Sequence, residues 1–119
     1  MNILLVEDDE NLGTILKNEL EEESHKIDLV HDGVEAVLRF IDKSYGFILL
    51  DIMMPKLDGV DTLRIIKRLD PGVPVIAFSG NAAFHQMEQC REEGAIECMT
   101  KPFLMGELKQ RIENYRGRL

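Results

Sequence analysis

The stretch that decides the fold reads Gly46-Phe47-Ile48-Leu49-Leu50-Asp51-Ile52-Met53-Met54. A short apolar run that is closed by polar and turn-forming residues indicates a strand buried on both faces of a parallel sheet. In open α/β sheets, the carboxyl ends of the strands form the crevice in which ligands bind. Asp51 is therefore placed for chemistry, although a loop aspartate that hydrogen-bonds its own turn would leave the same pattern.

Length and composition indicate one ordinary globular domain. The chain has 119 residues, of which 45% are hydrophobic and 30% are charged, and we expect one domain over residues 1–119. No apolar stretch approaches membrane-spanning length, and the first residues resemble a strand rather than a signal peptide. The expected location is therefore the cytoplasm, with Cys90 and Cys98 as free thiols.

The net charge of −8 bears on the class of partner. Affinity for nucleic acid comes largely from lysine and arginine side chains that neutralise phosphates. The chain has more acidic than basic residues and carries no long basic stripe. We therefore expect no direct binding of nucleic acid by this domain, and the acidity itself serves solubility.

Strand patterns alternate with helical patterns along the whole chain. This alternation predicts an α/β fold with a doubly wound, five-stranded parallel sheet and five helices. Asp9, Asp32 and Asp58 are expected to cap the first three helices, and Gly94 is placed as a residue that ends the fourth. The predicted strands are 2–6, 26–30, 46–50, 73–79 and 95–99.

Four of the helical patterns carry an apolar stripe that we expect to face the core. The fourth helix, predicted over 82–93, has only Ala83, Met87 and Cys90 as inward candidates, so it should be the least firmly docked. The three histidines are expected on the surface or in turns. The predicted stripes are Leu12, Ile15, Leu16 and Leu20; Val34, Val37, Leu38 and Ile41; Val60, Leu63, Ile66 and Leu69; and Leu104, Leu108, Ile112 and Tyr115.

Polar residues follow four of the predicted strands, and a parallel sheet brings them to one edge. They are the Glu7-Asp8-Asp9 run, Asp51, Ser79 and Lys101. Two carboxylates about 4 Å apart repel by roughly 4 kcal/mol at an effective dielectric of about 20, so such an edge favours an incoming cation. Hard oxygen ligands suit Mg²⁺ beside a phosphate, and a carboxylate can be the nucleophile that forms an aspartyl phosphate. Each residue alone has an ordinary structural explanation, but their conjunction predicts phosphoryl transfer.

With these motifs in place, the chain resembles a bacterial response-regulator receiver domain over essentially its whole length. No single motif is specific, but their order and separations together are. The resemblance implies a flavodoxin-like topology with strand order 2-1-3-4-5. The matching segments are 3–9, 51–59, Ser79-Gly80 and Lys101-Pro102-Phe103.

The resemblance also assigns roles at the acidic edge. It makes Asp51 the phosphoacceptor and a metal ligand, and Asp8 a direct Mg²⁺ ligand. Glu7 would act on the Mg²⁺ through water, since it replaces a commoner aspartate but keeps a carboxylate. Met53 would contribute its backbone carbonyl to the metal. Asp9 is expected to cap its helix rather than to bind the ion.

Two further residues would contact the phosphoryl group, and a third departs from the family pattern. The resemblance implies that Ser79 and Lys101 contact phosphoryl oxygens and that the Lys101-Pro102 bond is cis. Cys98 stands where the family usually has a tyrosine or phenylalanine that swings inward on activation. Because a thiol is too small to fill that space, switching would depend on Ser79, the loop after the fourth strand and the fourth helix.

The function that follows is a phosphoryl-accepting switch of two-component signalling rather than a metabolic enzyme. A sensor histidine kinase or a phosphotransfer protein would donate the phosphoryl group to Asp51, with Mg²⁺ as the cofactor. The output would pass to a downstream protein or to a covalently linked effector domain. Glu107, Leu108, Arg111 and Ile112 resemble the pattern of family members that form homodimers through the fourth and fifth helices, although a solvated helix face would also fit.

Three alternatives remain at the level of sequence. A degenerate receiver would bind partners constitutively without taking phosphate. A Mg²⁺-dependent phosphatase with an aspartate nucleophile generally has a second aspartate two residues later, where this chain has Met53. A flavin protein of similar topology would need a phosphate-binding loop after the first strand, where Glu7, Asp8 and Asp9 would repel a phosphate.

Overall fold

The computed structural model describes residues 1–54, 56–80 and 84–116. These residues form five strands and five helices in strict alternation. The elements are β1 (Asn2–Val6), α1 (Glu10–Glu21), β2 (Lys26–Val30), α2 (Gly33–Asp42), β3 (Phe47–Asp51), α3 (Gly59–Leu69), β4 (Val75–Ser79), α4 (Phe84–Glu92), β5 (Glu97–Thr100) and α5 (Met105–Arg116).

The five strands form one parallel sheet in the order β2-β1-β3-β4-β5. The predicted fold class and strand order are therefore confirmed. Val6 pairs with Leu50 in register, and Asp51 with Phe78, so the strands end close to one line across the sheet. This alignment brings the polar residues that follow the strands to the same edge.

Two apolar clusters cover the two faces of the sheet. The first lies under α2, α3 and α4, and the second lies under α1 and α5. The central strands β1 and β3 contribute alternate residues to each cluster, because successive side chains of a strand point to opposite faces. Ile3, Leu4, Leu5, Leu49 and Leu50 are all fully buried. Burial on both faces accounts for the continuous apolar run that ends at Asp51.

The predicted helix caps are confirmed. The side chain of Asp9 accepts hydrogen bonds from the backbone N–H groups of Asn11 and Leu12, and Asp32 and Asp58 cap α2 and α3 in the same way. These contacts satisfy N–H groups that lack partners within a helix. Gly94 follows α4 with a φ of 103°, in the left-handed region that glycine adopts without strain.

The predicted apolar stripe of α2 is wrong for three of its four residues. Val34, Leu38 and Ile41 are exposed, with Leu38 at 58% and Ile41 at 61%. The helix docks instead through its small residues Gly33 and Ala36. Gly33 permits this close approach, since a Cβ there would lie 2.2 Å from Thr62 Oγ1.

Three other residues that we expected in the core, Ile15, Leu69 and Leu104, are also exposed. Each lies at the border of its stripe or just outside the helix, where periodicity alone does not separate core from surface. The remaining members of the predicted stripes are buried or partly buried. On α4, Met87 and Cys90 face the core as expected, while Ala82 and Ala83 lie outside the described residues.

The strand limits differ slightly from the predicted ones. β3 includes Asp51 and begins at Phe47. β4 begins at Val75, after Pro74, whose nitrogen cannot donate to the sheet. β5 runs from Glu97 to Thr100. None of the helices in the described part of the chain is long and apolar enough to cross a bilayer.

Candidate functional site

Three carboxyl groups converge at the carboxyl edge of the sheet. Glu7 and Asp8 follow β1, and Asp51 ends β3, so two neighbouring strands supply them. One oxygen from each lies within 4.8 Å of the others, close enough for a single metal ion. Glu7 and Asp51 are buried, whereas Asp8 is exposed. The predicted gathering of these three residues is therefore present.

The loop after β3 fixes the Asp51 carboxylate. Its Oδ1 accepts a hydrogen bond from the backbone N–H of Met53 at 2.9 Å. Ile52 continues the sheet by donating its N–H to the carbonyl of Phe78 at 3.0 Å. Gly59, at the start of α3, packs against this backbone so closely that a Cβ would lie 2.2 Å from Ile52 Cα. Asp51 is thus held by the rigid end of a buried strand.

Glu7 is a buried carboxyl group in an unusual electrostatic environment. Its Oε2 accepts a hydrogen bond from the Asp9 N–H at 3.3 Å. Burial, reinforced by the adjacent Asp51 carboxyl, raises the pKa of Glu7 from 4.5 to about 8, and the contact with Lys101 opposes this rise only partly. Burial therefore favours the protonated form of Glu7, and a further positive charge in the site would favour the ionised form.

Lys101 connects the two buried carboxyl groups. Its Nζ lies 2.6 Å from Glu7 Oε1 and 3.0 Å from Asp51 Oδ2. Burial by itself would lower the pKa of Lys101, but its hydrogen bonds to Glu7 and Asp51 outweigh burial and raise the pKa. The backbone N–H of Lys101 donates to the Ser79 carbonyl at 2.7 Å, which fixes the main chain from which the side chain extends. The Lys101-Pro102 bond is cis, as expected.

Ser79 and Met53 complete the set of predicted site residues. Ser79 is fully buried at the end of β4, where it pairs in register with Thr100 beside Lys101. Met53 is 44% exposed beside the Asp51 carboxylate. The Met53 N–H donates to the Asp51 carboxylate, whereas binding of a metal ion by the Met53 carbonyl stays a prediction.

The histidines were only partly anticipated. His25 lies in the connection between α1 and β2 but is buried, with its Nδ1 3.3 Å from the Met1 nitrogen, so it is not on the surface. His31, directly after β2, reaches the acidic edge, and its Nδ1 lies 3.0 Å from the Glu7 carbonyl oxygen. The available sequence signal was its place at the end of a strand adjacent to β1.

Cys98 occupies β5 on the side that faces α4. Its thiol is partly buried and lies 3.7 Å from the Met87 carbonyl oxygen, so it contacts the inner face of α4. Burial raises the pKa of both thiols, that of Cys90 to about 12. Neither sulfur is therefore a reactive thiolate at neutral pH, and Cys98 acts as a small packing residue.

The sheet order, the acidic edge and its lysine define a response regulator receiver domain. The family model described as "Response regulator receiver domain" matches residues 3–113, and the chain belongs to this family. Proteins of this family are signalling switches of two-component systems rather than classical enzymes.

Its relatives include full-length regulators. The chain is 34% identical over 111 residues to the uncharacterized transcriptional regulatory protein YkoG of Bacillus subtilis, covering 93% of this chain and 49% of that protein. It is 39% identical over 110 residues to the transcriptional regulatory protein CpxR of Escherichia coli, covering 92% and 47%. The chain thus spans about half the length of the relatives it matches.

Solved structures of isolated receiver domains superpose over nearly the whole chain. The Francisella response regulator 1452 receiver domain matches with a TM-score of 0.89 and 29% identity, covering 98% of this chain and 97% of that one. The receiver domain of the sensor histidine kinase PA1611 of Pseudomonas aeruginosa matches with a TM-score of 0.89, 33% identity and the same coverage. That structure is described as having a magnesium ion coordinated in its active-site cleft.

Proposed function

We propose that this chain, as one receiver domain over residues 1–119, accepts a phosphoryl group on Asp51 in a Mg²⁺-dependent reaction. The single observation that carries the proposal is the convergence of Glu7, Asp8 and Asp51 oxygens within 4.8 Å of one another, with Lys101 against two of them. This arrangement supplies a nucleophile, a place for a divalent cation and a fixed positive charge. All three are needed for in-line phosphoryl transfer.

The residues support the transfer step as follows. An oxygen of the Asp51 carboxylate forms a bond to phosphorus while the bond from phosphorus to a donor's imidazole nitrogen breaks, and that electron pair stays on the nitrogen. The Met53 N–H holds Asp51 Oδ1 and the Lys101 ammonium holds Oδ2, so the orientation of the carboxylate is fixed before a donor arrives. Lys101, already in contact with Asp51, stabilises the charge on the transferred oxygens. Ser79, at the adjacent strand end, would hydrogen-bond another phosphoryl oxygen and report its presence.

The donor set fits Mg²⁺. Asp8, Asp51 and the Met53 carbonyl would bind the ion directly, and Glu7 would act through a water molecule. All are hard oxygen ligands, and they leave coordination positions for water and a phosphoryl oxygen, as Mg²⁺ prefers. The bound ion would supply positive charge that draws the attacking carboxylate and the phosphoryl group together. The raised pKa of Glu7 supports this assignment. Burial beside Asp51 disfavours the ionised carboxylate, and a bound cation would stabilise that ionised form.

The alternatives are less well supported. A phosphatase with an aspartate nucleophile would need an acid–base group two residues after Asp51, and the thioether of Met53 cannot transfer protons. A degenerate receiver is disfavoured because the acceptor, the acidic residues and the lysine lie in mutual reach. We therefore assign the chain modest self-catalysed phosphorylation and dephosphorylation rather than turnover of a metabolite.

The phosphodonor is proposed to be a sensor histidine kinase or a phosphotransfer protein that docks beside the acceptor. A surface pocket of about 360 Å³ between α1 and α5 opens next to Lys101. Ile15 lines it and is 56% exposed, and Leu104, exposed at 77%, lies in the chain between the lining residues Phe103 and Met105. A helix of the donor could bury these residues while placing its phosphohistidine over Asp51. The lining residues are Leu12, Ile15, Leu16, Gly80, Lys101, Pro102, Phe103 and Met105.

Replacing Ile15 with glutamate should slow phosphorylation by a protein donor on the order of tenfold, because the charge would be desolvated in the contact. Phosphorylation by acetyl phosphate should be unchanged, since a small donor needs no docking surface. The matched control is Ile41→Glu on α2, which is equally exposed but lies on the opposite face of the sheet. Equal transfer rates for both variants, measured with a purified phosphotransfer protein, would exclude this docking surface.

The output is proposed to pass to a downstream protein or to a linked effector domain. The relatives named as transcriptional regulatory proteins favour an effector domain, through which nucleic acid would be bound indirectly. We place the chain in the cytoplasm, in keeping with its two free cysteines.

A homodimer through α4 and α5 is a further part of the proposal. Arg111 pairs within its own chain with Glu97 at 2.6 Å and with Glu107 at 3.0 Å. Both ion pairs share Arg111 on α5 and are partly exposed, so two copies of the chain could exchange them. Sedimentation of the protein with and without beryllofluoride tests this contact, and an unchanged monomer in both would overturn it.

The proposed function is tested by incubating the protein with acetyl phosphate and Mg²⁺. We expect mass spectrometry to show one added phosphoryl group that is lost in Asp51→Asn and when the metal is chelated. The Asp51→Asn variant keeps the shape and hydrogen bonding of the side chain but removes its nucleophilic charge. Phosphorylation that persists in the variant, or that ignores chelation, would contradict the assignment.

A further inference from the structure

His31 contacts the acidic edge from a strand that contributes no ligand of its own. Its ring nitrogen Nδ1 lies 3.0 Å from the carbonyl oxygen of Glu7. A carbonyl oxygen only accepts hydrogen bonds, so Nδ1 must carry the proton and donate it. The contact joins the end of β2 to the peptide group between Glu7 and Asp8.

The backbone around Glu7 is consequently fixed on both sides of the residue. The Glu7 N–H donates to the Val30 carbonyl at 3.0 Å, which extends the pairing of β1 with β2 by one residue. Its carbonyl accepts from His31, beyond the last paired residue of the sheet. The Glu7–Asp8 peptide plane is therefore held after regular pairing has ended, and this plane sets the direction in which Asp8 leaves the strand.

His31 is itself firmly anchored. Its backbone N–H donates to Glu35 Oε2 at 2.9 Å. Glu35 belongs to the first turn of α2, where its own N–H donates to the capping residue Asp32 at 2.9 Å. Asp32 also pairs with Lys56, at 3.2 Å, in the loop that follows Asp51. The backbone of His31 is thus tied to the start of α2, which is itself linked through Asp32 to the loop of the phosphoacceptor.

We propose that His31 is a positioning residue for the metal site: by donating Nδ1–H to the Glu7 carbonyl, it orients the peptide that presents Asp8 to Mg²⁺. The inference rests on the proposed function, because it assumes that Asp8 binds the ion. Groups that orient metal ligands without touching the metal commonly contribute on the order of tenfold or more to its affinity. Asp8 is the exposed member of the acidic group, so it has the most to gain from a fixed backbone.

Two substitutions of His31 separate the hydrogen bond from the bulk of the side chain. The amide nitrogen of asparagine stands at the same number of bonds from Cβ as Nδ1, so His31→Asn keeps the donor. In glutamine the amide nitrogen corresponds to Nε2, so His31→Gln retains a polar side chain of similar length but withdraws the donor from Glu7. The two variants carry the same functional group and differ in where it points.

The experiment measures binding of Mg²⁺, and of Mn²⁺ as a paramagnetic substitute, by calorimetry and electron paramagnetic resonance without any phosphodonor. We expect His31→Gln to weaken binding on the order of tenfold and His31→Asn to stay within about twofold of the unaltered protein. The free energy of unfolding in chelator is measured for both variants as a check on folding. Equal affinities for the two variants would overturn the proposal, as would losses of affinity that merely follow losses of stability.

The unaltered protein and Asp8→Asn are measured beside them. If the unaltered protein binds the ion and Asp8→Asn does not, the metal site of the proposed function stands, and the His31 variants decide the further inference alone. If Asp8→Asn binds as well as the unaltered protein, the ligand assignment fails first, and with it the basis for a role of His31.

Discussion

Replacing Lys101 with methionine is expected to slow phosphorylation of Asp51 by acetyl phosphate by about 100- to 1,000-fold. Lys101 is fixed between Glu7 and Asp51 and is only 19% exposed, so its charge acts in a site with little screening by water. Removing one preorganised charge or donor from such a site typically costs this much in rate. The measurement is the rate of phosphoprotein formation at saturating Mg²⁺.

Lys109→Met provides the matched control for this prediction. Lys109 is also an ion-paired lysine of similar exposure, but it binds Glu19 and Glu23 between α1 and α5 rather than the acidic edge. The two variants change the net charge equally, so a general effect of charge would slow both. A Lys101→Met rate within about fivefold of the unaltered protein would show that the lysine has no role in the transfer.

The second large effect concerns the pH dependence of stability in the metal-free protein. Glu7 has a pKa of about 8 in the folded state, against an ordinary 4.5, because it is buried beside Asp51. Between these two values the folded chain holds a proton that the unfolded chain has lost. The stabilising contribution is therefore complete below pH 4.5 and is lost as pH rises through 8. This direction is opposite to that of a carboxylate held in a salt bridge with a lowered pKa.

In chelator, the free energy of unfolding should fall by on the order of 3 kcal/mol between pH 5.5 and 8.5 relative to the Glu7→Gln variant. Glutamine has nearly the same shape but does not titrate, so its profile isolates the contribution of this one group. Chemical denaturation at each pH gives the two profiles. Parallel profiles would mean that Glu7 ionises normally in the folded protein.

Mg²⁺ should reduce this pH dependence. A divalent cation next to Glu7 favours the ionised carboxylate, so binding of the ion at neutral pH should release a proton from the site. The raised pKa of Glu7 also helps to explain how the metal-free site tolerates three carboxyl groups. Lys101 neutralises part of the charge, and the raised pKa of Glu7 favours a proton that removes another part.

Cys98 affects how the state of the site could be transmitted to α4. The thiol lies against the backbone of α4 at Met87, so the space between β5 and α4 is filled by small and flexible side chains. A phosphoryl group sensed by Ser79 would then be transmitted through the repacking of α4 rather than through the swing of a large ring. Arg64 ties α3 to the end of α4 through Glu93 at 3.1 Å, and such a pair could be broken at small cost because it is partly exposed.

Much of this architecture could be predicted from the sequence because the relevant signals are local. Apolar runs closed by turn residues placed all five strands to within two residues, and the caps Asp9, Asp32 and Asp58 placed the starts of three helices. The alternation of these elements implies a parallel sheet, and a parallel sheet must collect its strand ends at one edge. Glu7, Asp8, Asp51 and Lys101 were therefore predicted as neighbours before any distance was known.

The tertiary structure decided what depends on contacts between distant segments. Lys101 lies 94 residues from Glu7 in the chain, and only packing could show that its ammonium binds both buried carboxyl groups. The pKa of Glu7 follows from burial, which no residue pattern specifies. Gly33 and Ala36, rather than the larger aliphatic residues of α2, are its buried residues, and Gly33 is needed because Thr62 of α3 approaches so closely. Periodicity in the sequence shows which residues share a face of a helix or strand. Packing of the elements decides which face is buried, and it also decides that the His31 side chain contacts Glu7.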